Sequence, residues 1–190
     1  MRRSSTRIGT GGERTVADSR PLLVNVAELL RHPASHQEVR VEVTSDGLKV
    51  LDSLVPAGAL IDVDVALESL SDGVVVTGRV SAPWEGACRR CLGPAGGTLD
   101  VLVRELYQPK PDSDEAFPIV GDQLDLEPLV REALLLELPL APLCRADCAG
   151  LCPECGADRN EIDCGHQVVV HDPRWDVLDE LRGRLDRPSN

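Results

Sequence analysis

The chain has 190 residues and a formal net charge of −12. It contains only one Phe, one Tyr and two Trp, so its core must be built mainly from aliphatic side chains, which suffices for one domain of this length. The acidic balance counts against general binding to nucleic-acid phosphates, because that affinity comes from clustered Lys and Arg.

The charge is unevenly distributed. Residues 1–40 carry seven Arg against four acidic residues, whereas the rest of the chain carries thirteen basic and twenty-eight acidic residues. Residues 1–20 are rich in Gly, Ser, Thr and Arg, a composition that predicts a disordered basic arm. No secretory signal is recognisable, and no apolar run approaches the length of a membrane span. We therefore expect a cytoplasmic protein with reduced thiols.

Strand-like alternation dominates the first half. Apolar and polar residues alternate in VRVEV (39–43) and IDVDVAL (61–67), and the runs GVVVTGRV (73–80) and TLDVLVRELY (98–107) follow. Turn-forming residues separate these runs. The pattern predicts an antiparallel β meander, closed into a sandwich or a partial barrel, within a β-rich core domain over residues 21–143.

A few helices complete the expected α+β fold. NVAELLR predicts a short helix with Asn25 as its cap, and LDLEPLVREALLLELP predicts an amphipathic helix over 125–138 with Asp125 as its N-cap. A last helix is expected from Asp172, at the end of a Cys-rich metal-binding segment over residues 144–190.

Two CxxC pairs, Cys88 with Cys91 and Cys152 with Cys155, are typical of metal-binding knuckles. Two intervening residues let both thiolates occupy adjacent corners of a tetrahedron. The remaining candidate ligands are Cys144, Cys148, Cys164 and His166. Eight soft ligands suffice for two four-coordinate sites, or for one site with spare thiols.

The partition of these ligands is open at the sequence level. A local structural zinc site is favoured because its loops close at little entropic cost. Its ligands would be Cys148, Cys152, Cys155 and Cys164, with Cys144 and His166 as alternates. Cys88 and Cys91 would form a second site, join the other knuckle in a ribbon-like site, or remain unligated. Residues 143–170 contain few large apolar side chains, so a metal would supply the stability that burial does not.

Three other uses of the cysteines are weighed against zinc. A redox pair normally begins a helix after a strand, and neither CxxC has that context. An iron–sulfur cluster needs similar thiolates. A disulfide framework conflicts with the odd number of cysteines and with the expected compartment. Arg89 and Arg90, between the first two cysteines, would lower the pKa of these thiols or contact RNA or another partner.

The ordered motifs resemble a known family. CRRCLG, GDQLDLEPLVREALLLELPLAPLC, CAGLCPECGADRN, CGH and DPRW follow one another as in the bacterial YceD family, the large ribosomal RNA subunit accumulation proteins. The resemblance extends from about residue 24 to 185. The matching positions are Cys88, Arg90, Cys91, Leu92, Asp125, Leu126, Arg131, Glu132, Cys144, Cys148, Gly150, Leu151, Cys152, Pro153, Cys155 and Gly156.

This resemblance implies a non-enzymatic factor that supports accumulation of large-subunit (23S) rRNA during ribosome biogenesis. Its implied partners are the large-subunit rRNA precursor or ribosomal proteins, with no membrane and no small-molecule substrate. Some relatives keep only the first CxxC pair, so zinc in the second block is not essential to every member. This chain departs from many relatives at residues 157–160, and it has CGH where a CxC or HxH pair is common.

Two functional hypotheses follow. The first is the zinc-stabilised ribosome-biogenesis factor, which agrees with the absence of a GxSxG motif or a phosphate-binding glycine loop from the sequence. The second is a thiol-based redox protein or switch that uses Cys88 and Cys91.

Overall fold

The computed structural model describes residues 20–111 and 116–166, together with Leu178. The basic arm expected over residues 1–20 lies outside the described residues apart from Arg20. The helix expected from Asp172 lies outside them apart from Leu178, which is helical.

The described residues form nine strands and two short helices. The strands are β1 Leu23–Asn25, β2 His36–Thr44, β3 Leu48–Val50, β4 Ser53–Val55, β5 Leu60–Ser69, β6 Val74–Ala87, β7 Pro94–Gln108, β8 Phe117–Val120 and β9 Gln123–Asp125. The helices are α1 Ala27–Arg31 and α2 Glu127–Glu137. The fold is therefore dominated by its sheet rather than balanced between helix and strand, which corrects the expected α+β class.

The strands form one mostly antiparallel sheet. β2 pairs with β5, β5 with β6, and β6 with β7. The β3–β4 hairpin attaches to the far end of β6, and β8 joins β7 in parallel before pairing with β9. The simple meander expected from the sequence is thus interrupted, because β2 pairs with β5 across the intervening β3–β4 hairpin.

Alternation in the sequence decides which face of the sheet is buried. In β5, the apolar residues Ile61, Val63, Val65 and Leu67 are buried, whereas Asp62 and Asp64 are exposed. Successive side chains of a strand point to opposite faces, so this pattern places one face on the core and the other in solvent.

Helix α2 packs its apolar residues Leu129, Val130 and Leu134 into the same core. It begins at Glu127, two residues later than the sequence predicts, because Asp125 still belongs to β9. Asp125 nevertheless contributes to the start of the helix, because its Oδ1 accepts a hydrogen bond from the N–H of Glu127, the first helical residue, at 2.9 Å. None of the helices in the described part of the chain is long and apolar enough to cross a membrane.

The chain leaving α2 runs to the tip of the β6–β7 hairpin. Ser53 in β4 donates a hydrogen bond to the Pro139 carbonyl at 2.5 Å. Further on, the Arg89 N–H at the hairpin tip donates to the Pro142 carbonyl at 2.9 Å. These contacts bring the Cys-rich segment against the first CxxC pair, although the two are more than fifty residues apart in sequence.

Candidate metal centre

The eight candidate ligands fall into two groups of four. Within each group, the ligand atoms all lie within 4.8 Å of one another. The first group, called the hairpin site, consists of Cys88, Cys91, Cys144 and Cys148. The second group, called the terminal site, consists of Cys152, Cys155, Cys164 and His166. Both are positioned to hold a metal ion.

The first knuckle caps the β6–β7 hairpin. The Cys88 N–H donates to the Gly93 carbonyl, and the Leu92 N–H donates back to the Cys88 carbonyl, both at 2.8 Å. The Arg90 N–H also points at the Cys88 Sγ at 3.5 Å. To make this turn, Leu92 adopts a φ of 60°, which is unusual for a residue with a branched side chain.

The second knuckle repeats this geometry. The Cys152 N–H donates to the Ala157 carbonyl, and the Gly156 N–H donates to the Cys152 carbonyl, again both at 2.8 Å. Gly156 has a φ of 73° at the position that corresponds to Leu92. The two CxxC segments are therefore the same turn, built once at a hairpin tip and once in the Cys-rich segment.

This equivalence predicts opposite effects of two exchanges. Leu92→Gly should stabilise the fold by about 0.5–1 kcal/mol, because it relieves the left-handed backbone of a side chain that is 69% exposed. Gly156→Ala should destabilise it by about 1 kcal/mol through backbone strain alone, since an added Cβ would meet nothing within 4 Å. Urea unfolding of the metal-loaded protein measures both; shifts of the same sign would contradict the equivalence.

The sulfur separations at the hairpin site suit a tetrahedral metal. Cys88 Sγ lies 3.8 Å from Cys148 Sγ, and Cys91 Sγ lies 3.7 Å from Cys144 Sγ. A tetrahedron with metal–sulfur bonds of about 2.3 Å has edges of about 3.8 Å. All seven cysteines are free thiols, so these sulfurs are not joined by disulfide bonds.

The terminal site has a comparable arrangement with a mixed ligand set. Cys152 Sγ lies 3.8 Å from His166 Nδ1, close to the edge of about 3.6 Å expected between sulfur and nitrogen ligands of one zinc ion. Cys152 is buried, whereas Cys155 and His166 are exposed. The Gly165 N–H donates to Asp163 Oδ1 at 3.0 Å and fixes the turn between Cys164 and His166.

At the hairpin site, one buried thiol is set to ionise first. Hydrogen bonds from the backbone N–H groups of Cys91 and Cys144 lower the pKa of Cys88 to about 6. The thiol contact with Cys148, aided by burial, raises the pKa of Cys144 to about 12. The pKa of Cys148 is lowered overall: burial opposes this, but the Asn160 side chain and the Gly150 N–H outweigh it.

The cysteines of the terminal site show a similar pattern of pKa shifts. Hydrogen bonds from the backbone N–H groups of Cys155 and Glu154 lower the pKa of Cys152 to about 6. The Ala157 N–H favours the ionised form of Cys155, but the neighbouring Cys152 thiol and burial raise the pKa of Cys155 overall. In each site, then, the first cysteine of the knuckle is buried and readily ionised, while its partner has a raised pKa.

This combination of burial and lowered pKa suits a metal ligand. A nucleophilic thiolate must be accessible to its substrate, yet Cys88 and Cys152 are both buried. Backbone N–H groups directed at sulfur also stabilise metal-bound thiolate, whose charge they partly neutralise. The donor set and its hydrogen bonds fit a tetrahedral, thiolate-preferring ion.

The structure divides the predicted site residues differently from the local grouping expected from their spacing. Cys148 does not join Cys152, Cys155 and Cys164; it lies with the hairpin cysteines, and His166 completes the other set. The alternates Cys144 and His166 are thus members of separate four-residue groups. The reason is a sharp turn after Cys148, where the Leu151 N–H donates to the Arg90 carbonyl at 3.0 Å.

Gly150 makes that turn feasible. It has a φ of 73°, and a Cβ at this position would lie 3.0 Å from the Arg90 carbonyl oxygen. Only three residues separate Cys148 from Cys152, so the backbone must change direction within them to serve two different sites. Neither the role of Gly150 nor that of Asn160 is evident from ligand spacing.

The two arginines of the first knuckle have different environments. The Arg90 guanidinium donates to the Cys148 carbonyl at 2.9 Å and to the Ala146 carbonyl at 3.3 Å. It therefore fastens the Cys-rich segment to the hairpin. Arg89 is exposed, and its side chain makes no hydrogen bond or ion pair within the described ranges 20–111 and 116–166.

Comparison with known proteins agrees with the order of these motifs. The family model of the large ribosomal RNA subunit accumulation protein YceD matches residues 76–182. The chain belongs to the YceD family. The matched range includes both knuckles and all eight candidate ligands, so the hairpin and the Cys-rich segment lie within the family's own region.

Similar proteins include uncharacterized proteins of mycobacteria and of a bacillus. The uncharacterized protein Rv2926c of Mycobacterium tuberculosis is 40% identical over 92% of this chain and 87% of its own length. The uncharacterized protein ML1660 of Mycobacterium leprae is 32% identical over 85% of this chain and 77% of its own. YlbN of Bacillus subtilis, also uncharacterized, is 24% identical over 62% and 69%. No solved structure matches the chain.

Proposed function

We propose that this protein is a non-enzymatic, cytoplasmic ribosome-biogenesis factor that supports accumulation or processing of large-subunit (23S) rRNA. The observation that carries the proposal is the match of residues 76–182 to the YceD family. Its partners would be the large-subunit rRNA precursor or ribosomal proteins, and neither a membrane nor a small-molecule substrate is required.

We further propose that both cysteine clusters bind structural zinc. The four thiolates of the hairpin site and the three thiolates plus imidazole of the terminal site are ligand sets that zinc prefers. The metal would hold residues 144–166 in a defined shape and attach them to the β-rich domain over residues 21–143. Because every position of each set is a protein ligand, these would be closed, structural sites without an open coordination position.

The redox alternative is less well supported by the same geometry. A dithiol switch at Cys88 and Cys91 would leave Cys144 and Cys148 without a role, although all four sulfurs lie within 4.8 Å of one another. It would also require a reductant or oxidant to reach Cys88, which is fully buried.

Charge complementarity favours a basic partner for most of the surface and an anionic one at the hairpin tip. The acidic body would attract basic ribosomal proteins, while Arg89 presents an exposed guanidinium at the hairpin tip. Arg89 is the better candidate for contact with RNA phosphate, since Arg90 is already engaged by two carbonyls.

A deletion strain tests the function directly. Loss of the protein should lower the ratio of mature 23S to 16S rRNA, and the tagged protein should copurify with large-subunit precursor particles. Normal 23S levels in the deletion strain, together with no precursor in the purified material, would rule the proposal out.

Exchange of Arg89 separates partner contact from folding. Arg89→Glu should reduce copurification of large-subunit precursor several-fold, because it reverses the exposed charge at the hairpin tip. Metal content should remain unchanged. The matched control is Arg104→Glu, an exposed arginine on the body of the same hairpin. Equal losses in both variants, or none in Arg89→Glu, would contradict a specific contact at the tip.

A further inference from the structure

Asn160 lies in sequence between Cys155 and Cys164 of the terminal site, contacts Cys148 of the hairpin site, and belongs to neither group of four. Its side-chain Nδ2 donates a hydrogen bond to Cys148 Sγ in the hairpin site at 3.3 Å. Its Oδ1 accepts hydrogen bonds from the Ala149 N–H at 2.8 Å and from Arg145 Nη2 at 2.7 Å. One half-buried side chain thus binds the backbone N–H just after Cys148, the Arg145 side chain before it, and the Cys148 sulfur itself.

The orientation of this amide follows from its partners. Two donors face Oδ1, while Nδ2 faces two acceptors, the Cys148 sulfur and Asp158 Oδ1 at 2.6 Å. The reverse orientation would oppose donors to donors and acceptors to acceptors. Asp158 Oδ1 also accepts the Asn160 backbone N–H at 2.8 Å, so the side chain is fixed by its own loop.

That loop belongs to the terminal site. Residues 157–160 leave the second knuckle, and four residues later the chain reaches the ligand Cys164. Leu151 forms a β-bridge with Asp158, and the Arg159 N–H donates to the Gly150 carbonyl at 3.0 Å. A metal at the terminal site would close this small hairpin from both ends, at Cys152 and Cys155 on one side and at Cys164 on the other.

We infer that Asn160 couples the two sites, so that metal binding at the terminal site favours metal binding at the hairpin site. The inference rests on the proposed binding of metal by both clusters. Closing the terminal site orders residues 157–160, and this presents the Asn160 amide to Cys148. The hydrogen bond then stabilises Cys148 as a thiolate ligand and orients its sulfur towards Cys88, Cys91 and Cys144.

The expected size of the coupling comes from outer hydrogen bonds to metal ligands. Loss of such a partner typically lowers metal affinity about 10–100-fold. Coupling between two binding equilibria is reciprocal, so loading of the hairpin site must favour the terminal site by the same factor. The intact chain should therefore pass from metal-free to doubly loaded with little of the singly loaded form.

Two variants remove the coupling in different ways. Asn160→Asp keeps the oxygen that accepts from Ala149 and Arg145 but replaces the donor to Cys148 with a carboxylate oxygen. Asn160→Ala removes both the accepting oxygen and the donating amide nitrogen. The control is Ile162→Asp. It adds the same negative charge two residues after Asn160, in place of an exposed apolar side chain.

The test is a Co²⁺ titration of the full chain followed by native mass spectrometry, with alkylation mapping of each cysteine at half-saturation. In the wild type and in Ile162→Asp, we expect metal-free and doubly loaded chains to predominate. In Asn160→Asp, the singly loaded chain should accumulate, with the hairpin cysteines alkylated and the terminal cysteines protected. The second Co²⁺ should bind about 10–100-fold more weakly.

The outcomes separate this inference from the metal proposal. A wild-type chain that takes up no Co²⁺ overturns both. Two ions bound by the wild type, with the same distribution of loaded forms in Asn160→Asp and Asn160→Ala, overturn the coupling alone. Accumulation of the singly loaded form in Ile162→Asp would also overturn the coupling. The added charge, rather than loss of the hydrogen bond to Cys148, would then explain the accumulation in Asn160→Asp.

Discussion

Removal of metal from the intact 190-residue chain should release residues 143–166 from the β6–β7 hairpin while the sheet stays folded. We expect backbone amides throughout this segment to lose protection from hydrogen exchange, and those of β5, β6 and β7 to retain it. Chelation with an excess of a zinc chelator, followed by exchange and mass spectrometry, measures the effect segment by segment.

The physical reason is the small core of this segment. Among its residues, Cys148 and Cys152 are buried, but Ile162 is 57% exposed and Leu151 only half-buried. Structural zinc contributes roughly 10–16 kcal/mol of apparent binding free energy in small zinc-binding peptides, far more than these apolar contacts supply. The sheet, by contrast, has an aliphatic core that spans its strands and α2.

The matched control is the same chelation of a variant lacking hairpin-site ligands, Cys88→Ser with Cys91→Ser. In this variant, the backbone amides of residues 143–166 that lie nearest the hairpin should already exchange before chelator is added. Unchanged exchange in residues 143–166 of the wild type after complete metal removal would contradict a structural role for the metal.

Local patterns were good predictors of the sheet. The alternation of Val39, Val41 and Val43 with Arg40 and Glu42 marks a strand with one buried side, and β2 contains all five residues. Patterns of this kind reflect side-chain direction in a strand, which is a local property. Strand partners are not local. Nothing in the sequence of β2 indicates that it pairs with β5 across the β3–β4 hairpin.

The run over residues 108–123, before α2, illustrates the same limit. Its acidic, Pro-containing sequence indicates an irregular connection, yet part of it forms β8 and β9 around a turn at Gly121, which has a φ of 62°. Strands this short have weak patterns of their own and form because β7 and β1 offer partners for them.

The eight candidate ligands could be picked out from the sequence, but their spatial grouping into two sets of four could not. The entropic argument favoured short loops, although the cost of closing a loop rises only by about 0.6 kcal/mol for each doubling of its length. The long connection between Cys91 and Cys144 is therefore a small obstacle once β6, β7 and α2 have folded. Contacts of Arg90 with the carbonyls of Cys148 and Ala146 then hold Cys148 beside the hairpin cysteines.

Exchange of Cys148 for Ser should empty the hairpin site and leave the terminal site loaded. We expect one zinc per chain instead of two, with Cys88, Cys91 and Cys144 open to alkylation. The sulfur of Cys148 lies 3.8 Å from that of Cys88, so the exchange removes one of four ligands from that cluster, and its affinity should fall by at least about 100-fold.

Cys164→Ser is the matched control, because it removes a candidate ligand from the terminal site and none from the hairpin site. It should also leave one zinc, but with the protection reversed: the hairpin cysteines stay protected while Cys152 and Cys155 react. Elemental analysis combined with peptide mapping of alkylated cysteines measures both variants on the same preparation.

The local grouping makes the opposite prediction for Cys148. If Cys148 shared one ion with Cys152, Cys155 and Cys164, then Cys148→Ser and Cys164→Ser would expose the same cysteines, and the two alkylation maps would coincide. The contrast between the maps therefore decides whether the Cys-rich segment is a self-contained module or is attached to the sheet by a shared ion. The second arrangement adds a shared ion to the Arg90 contacts that already hold the Cys-rich segment on the β6–β7 hairpin.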